Sequence, residues 1–181
     1  MLKWILAGVA AVVVVFLIVV ALQPADFKVE RSATMRAPAP AAFAQVNDFQ
    51  NWRAWSPWEK IDPALKRQYE GPKAGTGAVY AWQGNKDVGE GRMTITESRP
   101  GELVRIKLEF FKPFAATNTA EFSFKPSAGG ANEATVVTWS MAGQNNFLSK
   151  AICLFVDMDR MVGGMFEQGL AQMKTVVERR S

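Results

Sequence analysis

Histidine is absent from this 181-residue chain, and cysteine occurs once, as Cys153. Without histidine the chain cannot form a Ser-His-Asp or Cys-His nucleophilic system, a histidine-based zinc site or an HExxH metalloprotease site. A single cysteine excludes a disulfide within the chain and any metal site that needs two or more thiolates. We therefore predict neither a bound metal nor a cofactor.

The excess of positive over negative charge is also small. The chain has 21 Lys and Arg against 17 Asp and Glu, a formal net charge of +4 at pH 7, and its basic residues form no run. A nucleic-acid-binding surface needs a basic patch or stripe, so we expect no nucleic acid partner. The Gly-rich segments 75–77 and 89–91 lack the other glycines and the lysine of a phosphate-binding loop.

One long hydrophobic run is present, the 19 residues Trp4–Leu22. At 1.5 Å per residue a helix of this length reaches roughly 28 Å, close to the hydrocarbon thickness of a bilayer. We predict a transmembrane anchor over residues 1–23, with the membrane as the partner of Trp4–Leu22. A cleaved signal peptide is a second interpretation, although its apolar region usually has about 7–15 residues. A buried core helix is a third, but it would have a polar face and this run has none.

The charges that flank the run leave its orientation open. Lys3 precedes it, and Lys28, Arg31 and Arg36 follow it, so counting positive charges favours neither side. Because the preceding tail is so short, we expect that tail in the cytoplasm and the C-terminal domain outside it, in a single-pass membrane protein. Residues 24–181 are then one domain, long enough for a single substantial core.

Alternation of apolar and polar residues predicts a series of strands in this domain. Gly84-Asn85, Pro100-Gly101 and Gly129-Gly130 are typical of tight connections, which favour an antiparallel meander with one wet face. The predicted strands are Asp26–Met35, Leu65–Glu70, Gly77–Gln83, Gly91–Ser98, Glu102–Phe111, Thr117–Lys125 and Thr135–Met141.

Helical spacing of apolar residues predicts two short helical segments, Ala41–Phe49 and Asn51–Trp58, and one long closing helix, Phe147–Arg179. Three glycines in the long helix, at positions 163, 164 and 169, each weaken it by roughly 1 kcal/mol relative to alanine. We therefore expect close contact with a neighbouring element, or a bend. The predicted fold is α+β: a curved antiparallel sheet wraps around the long helix, the short helices close one end, and a cavity separates sheet from helix.

This order of elements resembles the helix-grip fold of the START-like, or SRPBCC, superfamily, in particular its polyketide cyclase/dehydrase and lipid-transport family. The resemblance implies a deep apolar pocket for lipids, polyketides or other bulky hydrophobic molecules, without implying catalysis. It covers about Phe27–Glu178. The segments that carry it are Ala37-Pro38 with Phe43 and Val46, NWRAWSPWEK from Asn51 to Lys60, GEGRMTITES from Gly89 to Ser98, VVTWSMAGQNNFLSK from Val136 to Lys150, and MVGGMFEQGLAQMKTVVE from Met161 to Glu178.

Aromatic and methionine side chains are the candidate wall of such a pocket, because large rings and adaptable thioethers suit irregular apolar ligands. Ordinary core packing is the alternative for each of them. An inward-facing Arg92 would indicate a polar group on the ligand, whereas a solvated arginine on the sheet is the alternative. The candidate ligand-binding residues are Trp55, Trp58, Tyr80, Trp82, Arg92, Trp139, Phe155, Met158, Val162 and Phe166.

Two function classes lead for this sequence, and we favour the first; a third interpretation, a structural or interaction domain with a collapsed cavity, also survives. The first is a membrane-anchored protein that binds a hydrophobic small molecule between the sheet and the C-terminal helix. The second is a cyclase- or dehydratase-type enzyme that acts on a hydrophobic substrate in the same cavity. An acid–base enzyme needs a titratable group with a perturbed pKa beside a void, and the sequence offers no convincing pair of such groups. We accordingly predict no catalytic residues.

Overall fold

The computed structural model describes residues 1–127 and 134–179, so the predicted Gly129-Gly130 turn lies outside the described residues. The helices are α1 (Leu2–Leu22), α2 (Ala39–Asn47), α3 (Phe147–Cys153) and α4 (Met158–Glu178), with 3₁₀ segments at Phe49–Ala54 and Pro57–Lys60. The strands are β1 (Asp26–Met35), β2 (Lys66–Glu70), β3 (Val79–Gln83), β4 (Glu90–Arg99), β5 (Leu103–Lys112), β6 (Ala116–Pro126) and β7 (Thr135–Gln144).

The seven strands form one sheet in the order β1-β7-β6-β5-β4-β3-β2, and every pair of neighbours is antiparallel. Strands β2 to β7 follow one another as a meander, and β1 pairs with the last of them. This arrangement, with a long C-terminal helix and short helices, confirms the predicted α+β helix-grip class. The side of the sheet that meets α2 and α4, called the inner face below, carries the apolar residues, as strand alternation requires.

The predicted closing helix is interrupted, and this is a correction to the sequence analysis. Residues 154–157 separate α3 from α4. The Asp157 carboxylate accepts a hydrogen bond from the backbone N–H of Arg160, which caps the start of α4. A side chain that caps a new helix favours a break, and apolar spacing alone does not reveal it.

An ion-pair cluster attaches α4 to the edge strand β1. The Arg31 guanidinium lies 2.8 Å from a carboxylate oxygen of Glu167 and 2.9 Å from one of Asp159. Its hydrogen bond lowers the pKa of Asp159. A Cβ atom at Gly163 would collide with this guanidinium, so the glycine lets Arg31 cross the helix surface. The predicted close contact is therefore confirmed at this position.

Gly169 and Gly164 form a matched pair for testing the fit of α4. A Cβ at Gly169 would lie 2.9 Å from Trp139 Cζ3 and 3.2 Å from Pro57 Cδ, whereas one at Gly164 would meet nothing within 4 Å. We expect Gly164→Ala to raise the free energy of unfolding by roughly 1 kcal/mol through helix propensity. Gly169→Ala should lower the free energy of unfolding by about 1–2 kcal/mol, because the cost of overpacking exceeds the gain in helix propensity. Urea unfolding of the full chain in detergent measures both, and equal stabilisation by the two variants would contradict the packing described here.

Helix α1 is long and apolar enough to cross a membrane, with a mean hydropathy of 3.3, and one helix among the described residues has this property. A signal sequence near an N-terminus would meet the same criteria. Three residues, Gln23 to Ala25, connect α1 to β1. The N–H of Asn145 donates to the carbonyl of Ala25 at 2.7 Å, which holds this connection against the end of β7.

Candidate functional site

Four predicted pocket residues, Trp55, Trp58, Trp139 and Phe166, meet in one aromatic cluster. The Trp139 ring stacks on Phe166 of α4, with centroids 4.1 Å apart and planes 10° from parallel. Its other side stacks on Phe122 at 4.7 Å. Trp55 and Trp58 meet it edge to face at 5.6 and 5.7 Å. Trp58 is half-buried and the other four rings are fully buried, so this part of the inner face is filled by side chains.

Tyr80 and Trp82 form a neighbouring aromatic group on β3. Their rings stack with centroids 6.0 Å apart, and Trp82 meets Phe110 edge to face at 5.9 Å. Phe49 joins this group to the first cluster, because it contacts Tyr80 at 6.0 Å and Trp52 at 5.6 Å, and Trp52 meets Trp139 at 6.1 Å. The rings therefore make one continuous apolar surface from β3 to α4.

A buried carboxylate ends this surface on the β3 side. The Tyr80 hydroxyl donates to Glu59 Oε1 at 2.6 Å, and Arg67 Nε donates to Glu59 Oε2 at 2.6 Å. The Glu59 side chain is 7% exposed. Burial, and then the hydrogen bond and charge of Glu59, hold the pKa of Tyr80 well above its usual value. Tyr80 therefore remains a protonated donor at neutral pH, and both carboxylate oxygens of Glu59 are engaged.

The inner face becomes less buried toward the end of the sheet nearest α1. On β5, Val104 and Ile106 are fully buried, whereas Leu108 and Phe110 further along are half-buried. Phe27, at the start of β1, is half-buried as well. Helix α4 packs mainly on β1, and this part of β5 is less covered. An apolar surface that is incompletely covered is where a hydrophobic ligand could enter.

One polar side chain, Asn118, lies within this partly open region. Strand register places Phe27, Gly143, Asn118 and Leu108 in one row across β1, β7, β6 and β5. The Asn118 side chain occupies the space that a Cβ at Gly143 would take. Its amide nitrogen donates to the Met141 sulfur at 3.8 Å, a weak acceptor. The amide is thus available to a better partner.

Asn118 was missed by the sequence analysis, although a pattern for it exists. The alternation that places Ala120, Phe122 and Phe124 on one face of β6 also places Asn118 there when it is extended back by two residues. An amide in the apolar phase of a strand marks either a hydrogen-bond network or a ligand contact.

Two predicted site residues lie away from the inner face, and both placements are corrections. Arg92 is exposed on the opposite face of β4, where the alternation with Gly91 and Met93 directs it. Phe155 is 79% exposed in the break between α3 and α4, and its ring lies 6.4 Å from Phe16 of α1. Its spacing fitted an uninterrupted helix, and the break turns it toward α1.

The remaining predicted site residues, Met158 and Val162, are half-buried in the first turns of α4. Val162 packs against the core. Whether any of these side chains contacts a ligand stays a prediction. The two described surface depressions, of about 590 and 280 Å³, lie largely on the outer sides of β1, β6 and β7, away from the contact between α4 and the aromatic cluster.

Metal-ligating side chains do not gather in the described ranges. Within residues 1–127 and 134–179, no group of three or more Cys, Asp or Glu side chains is arranged to hold a metal ion. What the site offers instead is a curved aromatic wall, one amide and a shielded Tyr–Glu–Arg group. These features suit the recognition of an apolar molecule that carries a polar group.

The model of the family described as polyketide cyclase/dehydrase and lipid transport matches residues 26–178. The chain belongs to this family. The match covers the whole sheet and α4, so the resemblance predicted from the sequence segments is confirmed. No functionally curated protein matches the chain at a significant level.

Solved structures with the same fold extend the comparison of this polyketide cyclase/dehydrase family member. Truncated norcoclaurine synthase from Thalictrum flavum is 9% identical with a TM-score of 0.64, over 86% of this chain and 96% of that one. A protein from Thermobifida fusca is 19% identical with a TM-score of 0.61, over 84% and 93%. Protein SA2116 of unknown function from Staphylococcus aureus is 12% identical with a TM-score of 0.60, over 88% and 98%. Identities this low establish a shared fold only.

Proposed function

We propose that this chain is a membrane-anchored protein that binds a hydrophobic small molecule, lipid- or polyketide-like, beside the aromatic cluster. The observation that carries the proposal is the row of half-buried apolar residues around Asn118, at the least covered end of the inner face. Trp55, Trp139 and Phe166 would form the floor of the site, and Trp58, Trp82 and Val162 its walls. Their packed rings support an apolar ligand lying on this surface.

Asn118 gives the proposed ligand an orientation. Its amide can donate to a carbonyl, hydroxyl or phosphate oxygen and accept from a hydroxyl, and it exchanges only a weak hydrogen bond to sulfur for either. A fold neighbour, norcoclaurine synthase, was crystallised in complex with dopamine and hydroxybenzaldehyde, which shows that this fold can hold small aromatic molecules with polar substituents. We infer a ligand of the same general kind: apolar, with one polar end.

The described titratable groups support binding over cyclase- or dehydratase-type catalysis. Glu59 receives hydrogen bonds from Tyr80 and Arg67, and the raised pKa of Tyr80 keeps its proton in place. A general base must come within hydrogen-bond reach of the proton that it removes, and the Glu59 side chain is 7% exposed. Arg31, which shares the inward phase of β1 with Val29, is already held by Asp159 and Glu167.

Anchoring in the membrane is the second part of the proposal. Helix α1 supports it by its length and its lack of a buried face. The anchor occupies residues 1–23 and the binding domain residues 24–181, with the domain outside the cytoplasm. Alkaline extraction of membranes tests the anchor, and protease protection in spheroplasts tests the side. A chain released in soluble form and shortened at its N-terminus would show a cleaved signal peptide instead.

Ligand binding is tested by native mass spectrometry of the full chain released from detergent, followed by extraction of the co-purifying molecules. We expect Asn118→Leu to weaken retention of the bound molecule about fivefold, equivalent to about 1 kcal/mol for one hydrogen bond. Thr119→Leu is the matched control, because this neighbour on β6 faces the opposite, exposed side. Equal retention by both variants would contradict the proposed role of Asn118, and no bound molecule in any preparation would contradict the function.

A further inference from the structure

Helix α3 and its junction with α4 have an inverted surface. In α3, Phe147, Leu148 and Ile152 are exposed, whereas Ser149 and Lys150 are half-buried. A helix that faces water has the opposite arrangement. Ten large hydrophobic side chains are exposed in the described part of the chain after residue 25, and six of them lie in this short segment: Phe147, Leu148, Ile152, Phe155, Val156 and Met161. Contiguous exposed apolar residues indicate an interaction surface.

This surface lies against α1. The Phe155 ring stacks near Phe16, with centroids 6.4 Å apart and planes 29° from parallel. Phe16 lies six residues before the end of α1 at Leu22. At 1.5 Å per residue, Phe155 is therefore level with a point about 9 Å inside the apolar run. Amphipathic helices bound at a membrane interface are buried to about 5–10 Å, so the depth matches.

The β5–β6 connection contributes two more exposed rings at the same end of the sheet. Phe111 and Phe114 lie in or next to this connection, since Phe110 pairs with Ala116 across the hairpin. Strand β1 leaves α1 at this end, and β7 leads into α3 from it. The apolar surface and the less covered inner face around Asn118 are thus neighbours.

We propose that α3 and the α3–α4 junction insert into the interface of the membrane leaflet from which α1 emerges, beside the entrance of the ligand site. This inference rests on the proposed anchoring by α1 and adds a second contact with the lipid. The bilayer is the occupant because α3 contacts α1 and the Phe155 ring meets Phe16, so that the exposed side chains adjoin the apolar surface of the anchor. A ligand with an apolar body would then pass between lipid and site without crossing water.

Depth-dependent quenching on the full chain tests the insertion. Cys153→Ser gives a cysteine-free background, and an NBD fluorophore is then attached to single cysteines at positions 155, 12 and 66. Each labelled chain is placed in phosphatidylcholine nanodiscs, one chain per disc, that contain lipid with a nitroxide near the headgroup end of its acyl chain. Position 155 is suited to a label because Phe155 is 79% exposed, so its replacement leaves the core intact.

The three labels separate the insertion of the α3–α4 junction from the anchoring by α1. We expect the label at 155 to be quenched by the nitroxide lipid and protected from aqueous iodide, and the label at Lys66, on the exposed edge strand β2, to behave oppositely. A label at Val12 reports on the anchor alone. If Val12 is protected and 155 is open to iodide, the insertion is wrong and the anchor stands. If Val12 is open as well, the anchor fails. A second preparation holds two chains per disc. Protection of position 155 only in these discs would assign the surface to a second copy and overturn the proposal.

Discussion

Trp139→Ala is expected to lower the free energy of unfolding by about 3–5 kcal/mol, the usual cost of removing a large aromatic side chain from a packed core. The Trp139 ring is 3% exposed and contacts Phe122, Phe166, Trp55 and Trp58. Removing it leaves a cavity between β7 and α4 that these rings cannot close. Urea unfolding of the full chain in detergent, monitored by far-ultraviolet circular dichroism, measures the change.

Trp58→Ala is the matched control for this prediction. Trp58 belongs to the same cluster but is half-buried, so its removal should cost clearly less than that of Trp139. The distinction also concerns function. If Trp139 lined an already open pocket, Trp139→Ala would alter ligand retention while unfolding barely changed. That result would contradict its assignment to the packed core.

Glu59→Ala should cost about 2–4 kcal/mol, because it leaves Arg67 and the Tyr80 hydroxyl without their acceptor in a largely buried place. Glu97→Ala is the matched control. Glu97 also pairs with arginines, Arg105 and Arg99, but on the outer face, where the side chains are partly exposed and such an ion pair contributes less than about 1 kcal/mol. Equal losses in the two variants would contradict a special role for the buried group.

The same group gives a spectroscopic check. Burial raises the pKa of Tyr80 most, and Glu59 raises it further through its hydrogen bond and charge. Glu59→Gln removes the charge, so the pKa of Tyr80 should fall but stay above its usual value. Phenolate absorbance measured against pH in a Tyr69→Phe background, which leaves Tyr80 as the one tyrosine of the chain, follows the change. An unaltered titration of Tyr80 would show that the hydrogen bond to Glu59 does not form in solution.

The strands could be predicted from the sequence because their burial is one-sided. The alternation of Val104 and Ile106 with Arg105 and Lys107 follows from the two-residue repeat of a β-strand. The structure places the first two residues inward and the other two outward, as that repeat requires. The sequence analysis considered an inward-facing Arg92, which conflicts with the same alternation. Gly91 and Met93 on either side of it face inward on β4, so Arg92 faces outward. Within strands, periodicity predicted more than the chemistry of single residues.

Contacts between distant segments could not be predicted in this way. The pairing of Glu59 with Tyr80 joins a 3₁₀ segment to a strand 21 residues later, and nothing local marks either residue. The break before α4 depends on capping by Asp157, which interrupts a spacing that is apolar on both sides. Asn118 was within reach of the alternation rule but was masked by its polar neighbours, Thr117 and Thr119.

The short connection between α1 and β1 limits what the proposed protein can do with its ligand. Three residues reach at most about 10 Å, and the hydrogen bond from Asn145 to Ala25 shortens even that. A site tethered so closely meets the lipids of its own bilayer at a very high effective concentration and meets another membrane only when that membrane approaches. Such a protein would not ferry a lipid through water. It would extract a molecule from one leaflet, bind it, and transfer it to a partner that docks at the surface of the same membrane.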